Sequence, residues 1–253
     1  MKKVMNVYFH ICLINDGLLI AIELLHSLHM SNLLYKSKSV NIGIKYKSKD
    51  ELEVFKRILY SHNISGNINI LYEEDNDLNN KQELSTAIYF KNYADSLKNS
   101  DEYICYIHTK GLSHINTPHE NPIRFWRYYM EYFMINKWKD CVSVLDGGFE
   151  SCGTYGYDMK YMHDYLIFKL NKKIFLNNTN NMKYYPGTFY WMNTSLIKRI
   201  PIKYFYNDTE YDRWSIEALP GLIEHQQYIF SSPNPHDMAL YNTVLHPFQY
   251  NHL

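Results

Sequence analysis

Across the first 111 residues the chain alternates between two apolar patterns, and that alternation narrows the possible folds more than any other feature. Residues 4–14, 40–47, 67–72 and 102–107 are short runs, β-branched and aromatic or alternating with polar residues, as strands are. Between them, residues 17–30, 50–62 and 83–97 repeat apolar positions at helical spacing. In the second of these, Leu52, Phe55, Ile58 and Leu59 share one face. Strand and helix alternating at this spacing predict right-handed crossovers and an α/β fold with a mainly parallel sheet flanked by helices.

The second half changes character. Residues 123–144 predict one long aromatic helix, with Pro122 near its first turn. Residues 149–155 and 186–192 read as strands. Residues 193–200 read as a short helix capped by Asn193 or Thr194 and stopped by Pro201. Residues 213–223 read as a helix broken near Pro220 and Gly221. Residues 171–184 are polar and asparagine-rich, hence a surface loop, and residues 231–253 form an irregular tail without periodicity. No repeat or linker divides the chain, so one domain over 1–253 is expected.

The charges balance, with 26 basic and 26 acidic residues, which argues against a broad nucleic-acid footprint. The 25 tyrosines suit stacking on bases or sugars, but Lys, Asn, Ile and Tyr all abound while Arg is rare, a pattern that AT-rich coding also produces. Cys12, Cys105, Cys141 and Cys152 form no C-x-x-C pair and read as reduced thiols. The apolar run at the N-terminus is interrupted by Asn6, His10, Asn15 and Asp16, with no small-residue cleavage site, so no signal peptide is expected. No stretch approaches ~18 uninterrupted apolar residues, so no transmembrane segment is expected either. The expected location is a reducing cytoplasm, the host's if the chain is viral.

The segment from Tyr103 to Gly111, Tyr-Ile-Cys-Tyr-Ile-His-Thr-Lys-Gly, is an apolar strand ending abruptly in small polar residues and a glycine. In open α/β sheets ligands bind beyond the carboxyl ends of strands. Lys110, with His108, Thr109 and the close-approach Gly111, suits a phosphate-bearing ligand. The plainer reading is a strand running into a solvated turn. Asp75-Asn76-Asp77 has metal-ligand chemistry but follows the third strand in an acidic loop, and reads as a solvated turn. His236-Asp237 in the tail is a weaker ligand pair of the same kind.

His108-Thr109-Lys110-Gly111 resembles the Tyr-x-His-Thr-Lys-Gly segment of a GT-A-like glycosyltransferase family found in large DNA viruses and bacterial surface-polysaccharide loci. Four further regions match in order. Glu83-Leu84-Ser85-Thr86 resembles that family's Glu-x-x-Thr. Phe125-Trp126-Arg127 opens the long helix after the strand, as in the family. Pro186-Gly187-Thr188-Phe189-Tyr190-Trp191-Met192-Asn193 resembles its Gly-Asn-Phe-Trp-Trp-x-Asn strand, and Arg213-Trp214 to Glu217 its Arg-x-x-x-Glu helix. The match spans roughly residues 80 to 220. Thr188 stands where the family commonly has Asn.

The resemblance implies a GT-A-like, Rossmann-like single domain, with a nucleotide-binding half at 1–111 and an acceptor and catalytic half at 112–230. It implies transfer of a sugar from a UDP- or dTDP-sugar to a glycan acceptor. Donor contacts fall to His108, Thr109, Lys110, Gly111, Glu83 and Thr86. Acceptor or sugar contacts fall to Trp126, Arg127, Gly187, Trp191, Asn193 and Arg213. The general base is expected at Glu217, then Asp212, then Asp158. Mn or Mg is the expected ion, with Lys110 able to supply part of its charge. For Trp126 and Trp191 core packing competes with sugar stacking, for Asn193 helix capping, and for Glu217 an ion pair with Arg213. A sugar nucleotidyltransferase, or an inactive nucleotide- or sugar-binding module, remains the alternative.

Overall fold

The computed structural model describes residues 3–61, 66–75, 83–112, 115–159, 182–205 and 214–230. At its centre β1 (Met5–Leu13) is buried on both faces, which is why its sequence is apolar almost throughout. It pairs in parallel with β2 (Ser39–Tyr46) on one side and β4 (Tyr103–His108) on the other, and β2 pairs in parallel with β3 (Ile68–Asp75). Helices α1 (Gly17–Met30), α3 (Lys49–Ser61) and α4 (Leu84–Ser96) occupy the three connections, with a short α2 (Leu33–Lys36) after α1. Beyond β4 come β8 (Tyr190–Asn193), antiparallel, then β5 (Ser151–Gly153) and β9 (Gln227–Ile229). The seven-stranded order is β3-β2-β1-β4-β8-β5-β9, a mainly parallel sheet within an α/β fold.

Period-2 alternation in β1 assigns its side chains to two cores. Val7, Phe9, Ile11 and Leu13 pack with α1, α3 and the aromatic helices of the second half. Tyr8 packs with Leu84, Ala87 and Phe90 of α4 and with Tyr106 and Tyr190. Each fully buried large apolar side chain contributes about 1.5–3 kcal/mol. Among the described residues, no helix is long and apolar enough to cross a membrane.

The expected single helix over 123–144 is three pieces. These are α5 (Glu120–Glu131), a π-helical turn (Tyr132–Asn136) and α6 (Trp138–Asp146). Phe133, Met134 and Ile135 are consecutive and all buried. The π turn, closed by the Lys137 amide on the Tyr132 carbonyl, rotates the following residues into the core. The expected strand 186–192 begins only at Tyr190, because Gly187 and Thr188 have φ of +93° and +62°, incompatible with extended backbone. The strand expected over 149–155 ends at Gly153, since Tyr155 has φ +54°. Asn193 caps the next helix, α7 (Thr194–Arg199), as expected, its side chain accepting from the Leu196 amide. The expected helix after residue 213 is one α turn, α8 (Trp214–Ala218), closed by a 3-10 turn at Leu219–Gly221. A two-stranded ribbon joins β6 (Tyr157–Asp158) to β7 (Lys183–Tyr184). Most of the expected loop at 171–184 and all of the tail from 231 lie outside the described residues.

The chain steps outward from β1 to β2 and β3, then returns past β1 to β4. That reversal makes the β1/β4 boundary a topological switch point, with a crevice at the carboxyl ends of both strands. Because β8 is antiparallel to β4 and β5 antiparallel to β8, the turns at 154–156 and 185–189 come to this same edge.

Candidate functional site

The turn after β4 is built from backbone contacts that continue the strand by one residue. The Thr109 amide donates to the His10 carbonyl at 3.1 Å, and Thr109 Oγ1 accepts from the Cys12 amide at 3.0 Å. The Lys110 amide then turns back to the His108 carbonyl at 2.8 Å. Gly111 follows with φ +105°, where a Cβ would lie 2.9 Å from Ile123. Arg127 of α5 clamps this turn, donating to the Lys110 carbonyl at 3.1 Å. Its guanidinium is held by Glu23 at 2.7 Å and Glu131 at 3.4 Å. Arg127 and Thr109 thus position the turn, with their polar groups already engaged.

The charged side chains at this edge pair off in two contacts joined through the backbone of the turn. His108 Nδ1 meets Glu83 Oε1 at 2.8 Å and its Nε2 meets the Gly187 carbonyl at 2.9 Å. Both ring nitrogens therefore face protein oxygens. Glu217 Oε1 lies 3.6 Å from Lys110 Nζ, and the Lys110 amide leads back to His108. The Lys110 ammonium also sits over the Trp126 ring, 4.5 Å from its centroid. Its side chain is 15% exposed against 5% for Glu217, so Lys110 is the member that reaches solvent.

Burial raises the Glu217 carboxyl above its ordinary value. Lys110, the Gly187 amide and His108 pull it back, while Glu83 adds to the rise. Tyr184 and Tyr190 also face it. Burial acts on Glu83 in the same sense, but the charge and hydrogen bond of His108, then His10 and Lys110, hold it down at about 2. The two carboxyl groups are thereby set apart, Glu83 as a fixed anion and Glu217 as the one readier to take a proton.

No protein-family model and no curated protein matches this chain.

Beneath these charged contacts lies a buried polar layer that sequence reasoning missed. His10, facing His108 across the β1/β4 ladder, meets Thr86 Oγ1 at 3.0 Å and the Tyr72 hydroxyl at 3.1 Å. Tyr72 and Thr86 are themselves 2.6 Å apart. Gly43 makes room for them: a Cβ there would stand 2.5 Å from both oxygens. Lys45, only 1% exposed, lies 3.7 Å from Glu74. The available signal was a polar residue at the buried period of a strand, His10 in β1 and Lys45 in β2. Thr86 belongs to this layer, where its hydroxyl serves His10 and Tyr72.

Several expected site residues lie elsewhere. Trp191 is fully buried between Cys105 and Cys152, its Nε1 donating to the Met134 carbonyl. Asn193 pairs with Tyr103 at the opposite end of β4 from His108, and its side chain caps α7. Asp158 is paired with Lys183 on the β6–β7 ribbon. Asp212 and Arg213, with the expected Arg213–Glu217 pair, lie outside the described residues, as do Asn76, Asp77, His236 and Asp237. Asp75 ends β3, at the far side of the sheet from β4. Among the described residues no group of three His, Cys, Asp or Glu side chains is placed to hold a metal ion. Glu83 and Glu217, the acids nearest Lys110, are engaged by His108 and Lys110, so these residues do not fit a resident Mn or Mg. The four cysteines are free thiols, with Cys12 part-exposed and the others buried.

Strain concentrates at the same edge. Asn15, Tyr155 and Thr188 all have positive φ, of 53°, 54° and 62°, and they follow β1, follow β5 and precede β8. Asn tolerates this region; a tyrosine and a β-branched threonine do so at a cost of about 1–3 kcal/mol each. Chemically, the edge presents a part-exposed cation, Lys110, on a fixed turn, backed by a carboxylate with a raised pKa.

Proposed function

We propose that the protein is a GT-A-like glycosyltransferase, transferring a sugar from a UDP- or dTDP-sugar to a glycan acceptor. The observation that carries this reading is Lys110. Its ammonium stands at the carboxyl end of a central strand, at the switch point, on a turn locked by Thr109, Gly111 and Arg127. A preorganised cation there suits the diphosphate leaving group, whose negative charge grows as the bond to the sugar breaks. The Thr109 and Lys110 amides are engaged within the protein, so the ammonium rather than an amide cradle makes the main contact. Glu217 is the proton acceptor: the acceptor hydroxyl oxygen bonds to the anomeric carbon, the diphosphate oxygen leaves with the bonding pair, and the proton passes to Glu217. Trp126, under Lys110, carries a buried Nε1 without a hydrogen-bond partner among the described residues, a donor suited to a substrate oxygen.

A thermal-shift panel of nucleotide-diphosphate sugars, with and without Mn, tests the reading, since a ligand that binds only the folded state raises apparent stability. Stabilisation by a UDP- or dTDP-sugar, followed by its consumption, is expected. A panel with no response overturns the proposal. One observation favours a second reading, a nucleotide-binding module without turnover: Glu217 is only 4% exposed and already paired with Lys110. Binding without donor hydrolysis or transfer selects that second reading.

A further inference from the structure

A polar seam ties α1 to the helices of the second half. Glu23, Ser27 and Ser31 recur at four-residue spacing and so line one side of α1. Glu23 Oε2 accepts from Arg127 Nη2 at 2.7 Å, and Ser27 Oγ donates to Glu131 Oε2 at 3.0 Å. The Ser31 carbonyl accepts from Trp138 Nε1 at 2.9 Å. Arg127 and Glu131 stand at the same spacing on α5, and Trp138 opens α6 beyond the π turn. Helix α1 follows β1 and α5 follows β4, so both start at the ligand edge. The Arg127 rung is therefore nearest that edge and the Trp138 rung farthest. Stability gives little reason for charge here. Arg127 is 4% exposed and Glu131 6%, and buried ion pairs recover little beyond their desolvation cost. Burial raises the Glu131 carboxyl to about 7, against the pull of Arg127 and Ser27. Geometry gives a better reason. A guanidinium is planar and rigid, with donors at fixed angles. Glu23 at Nη2 and Glu131, 3.4 Å from Nε, hold two corners of Arg127, which aims the third, Nη1, at the Lys110 carbonyl.

We propose that Glu131 is a positioning residue for donor binding: held by Ser27, it aims Arg127 so that the Lys110 turn is fixed at the crevice. This rests on the assignment of Lys110 to the diphosphate. Glu131 acts through Arg127 and does not touch substrate; Glu23 supplies the second hold on the same guanidinium. Helix α5 grips Lys110 at both ends, with Arg127 on its carbonyl and Trp126 under its ammonium. Ile123, one helical turn earlier, packs so close to Gly111 that a Cβ there would lie 2.9 Å away. A shift of α5 against α1 therefore carries the turn and its cation with it, and the two charged rungs of the seam oppose that shift.

The test compares Arg127→Lys, Glu131→Gln and Trp138→Phe in the full chain. Arg127→Lys keeps the charge without the fork. Glu131→Gln keeps the shape and an acceptor for Ser27 but loses the charge facing Arg127. Trp138→Phe deletes the rung farthest from the turn. Three quantities are read: melting temperature, affinity for UDP and dTDP by calorimetry, and the NMR shift and exchange rate of the Lys110 amide, which donates to the His108 carbonyl. In Arg127→Lys and Glu131→Gln the Lys110 amide should shift and exchange about fivefold faster or more, and diphosphate affinity should fall about three- to tenfold. Trp138→Phe should lower the melting temperature yet leave exchange and affinity within about twofold of wild type. An unchanged Lys110 amide in both Arg127→Lys and Glu131→Gln overturns the proposal. So does an affinity loss that follows melting temperature across all three variants, the pattern of a purely structural contact. Should Arg127→Lys not fold, the isosteric Glu131→Gln decides. The amide measurement needs no ligand. A wild type that binds neither diphosphate therefore counts against the donor assignment, while the hold on the turn is still read at Lys110.

Discussion

His108 Nε2 lies 2.9 Å from the Gly187 carbonyl and binds the end of β4 to the turn before β8. Two strands adjacent in the sheet but distant in sequence are thus locked at the edge where ligands bind in folds of this class. Gly187→Ala is expected to break this lock, because the added Cβ meets Met130 and Trp126 at a positive φ. The cost should be about 2–4 kcal/mol, from the backbone conformation and overpacking together. Urea denaturation measures it; a loss below about 1 kcal/mol would mean the turn relaxes freely.

His10 predicts a specific acid sensitivity. Burial, opposed by Glu83 and assisted by His108 and Lys45, lowers its pKa to about 3 from the ordinary 6.5. Between those values the unfolded chain binds the proton and the folded one does not, so stability rises with pH across that window. The contribution is complete above about pH 6.5 and is lost as pH falls toward 3. Wild type should lose on the order of 2–4 kcal/mol from this group between pH 7 and 4. Glu83, held at about 2, adds a second loss confined below about pH 4.5. In His10→Gln the loss between pH 6.5 and 4.5 should largely vanish. Parallel stability curves for the two proteins over that range would contradict the assignment.

The first four strands and the helices joining them are legible because each buries a face whose period survives in the sequence. Gly17–Met30 is read to the residue for that reason. The second half is harder, because its geometry depends on partners. Tyr132–Asn136 is a π turn between two α-helices whose residues are aromatic and apolar alike. Residues 186–189 read as strand, but Gly187 and Thr188 take positive φ, with Met130 and Trp126 packed against Gly187. Of the candidate site, Lys110, His108, Glu83 and Glu217 converge as a cluster, whereas Trp191 and Asn193 have site-like chemistry but core and cap positions. His10 and Lys45 went unnoticed because their meaning comes from strand register, His10 opposite His108 and Lys45 beside Glu74, which one-dimensional periodicity does not encode.

Glu217→Gln separates catalysis from structure. The amide keeps the shape and one hydrogen-bond acceptor but takes no proton. Turnover should fall by about 10²–10⁴-fold with donor affinity retained. Because burial raises the Glu217 pKa, its ionised form is the disfavoured one, and wild-type turnover should climb as pH rises through that value. Near-normal turnover in the variant would remove Glu217 from the mechanism and leave it as a counter-ion for Lys110.

Calorimetric titration of UDP and dTDP into the wild type and into Lys110→Ala tests the central claim most directly. Lys110 is part-exposed on a turn whose backbone is held by Thr109, Gly111 and Arg127, so the variant should fold normally. The wild type should bind one of the two diphosphates, and the variant should lose about 1.5–3 kcal/mol of that affinity, the contribution of a charge-assisted contact. Equal diphosphate affinity in the two proteins, or none in the wild type, would contradict a donor site at the end of β4.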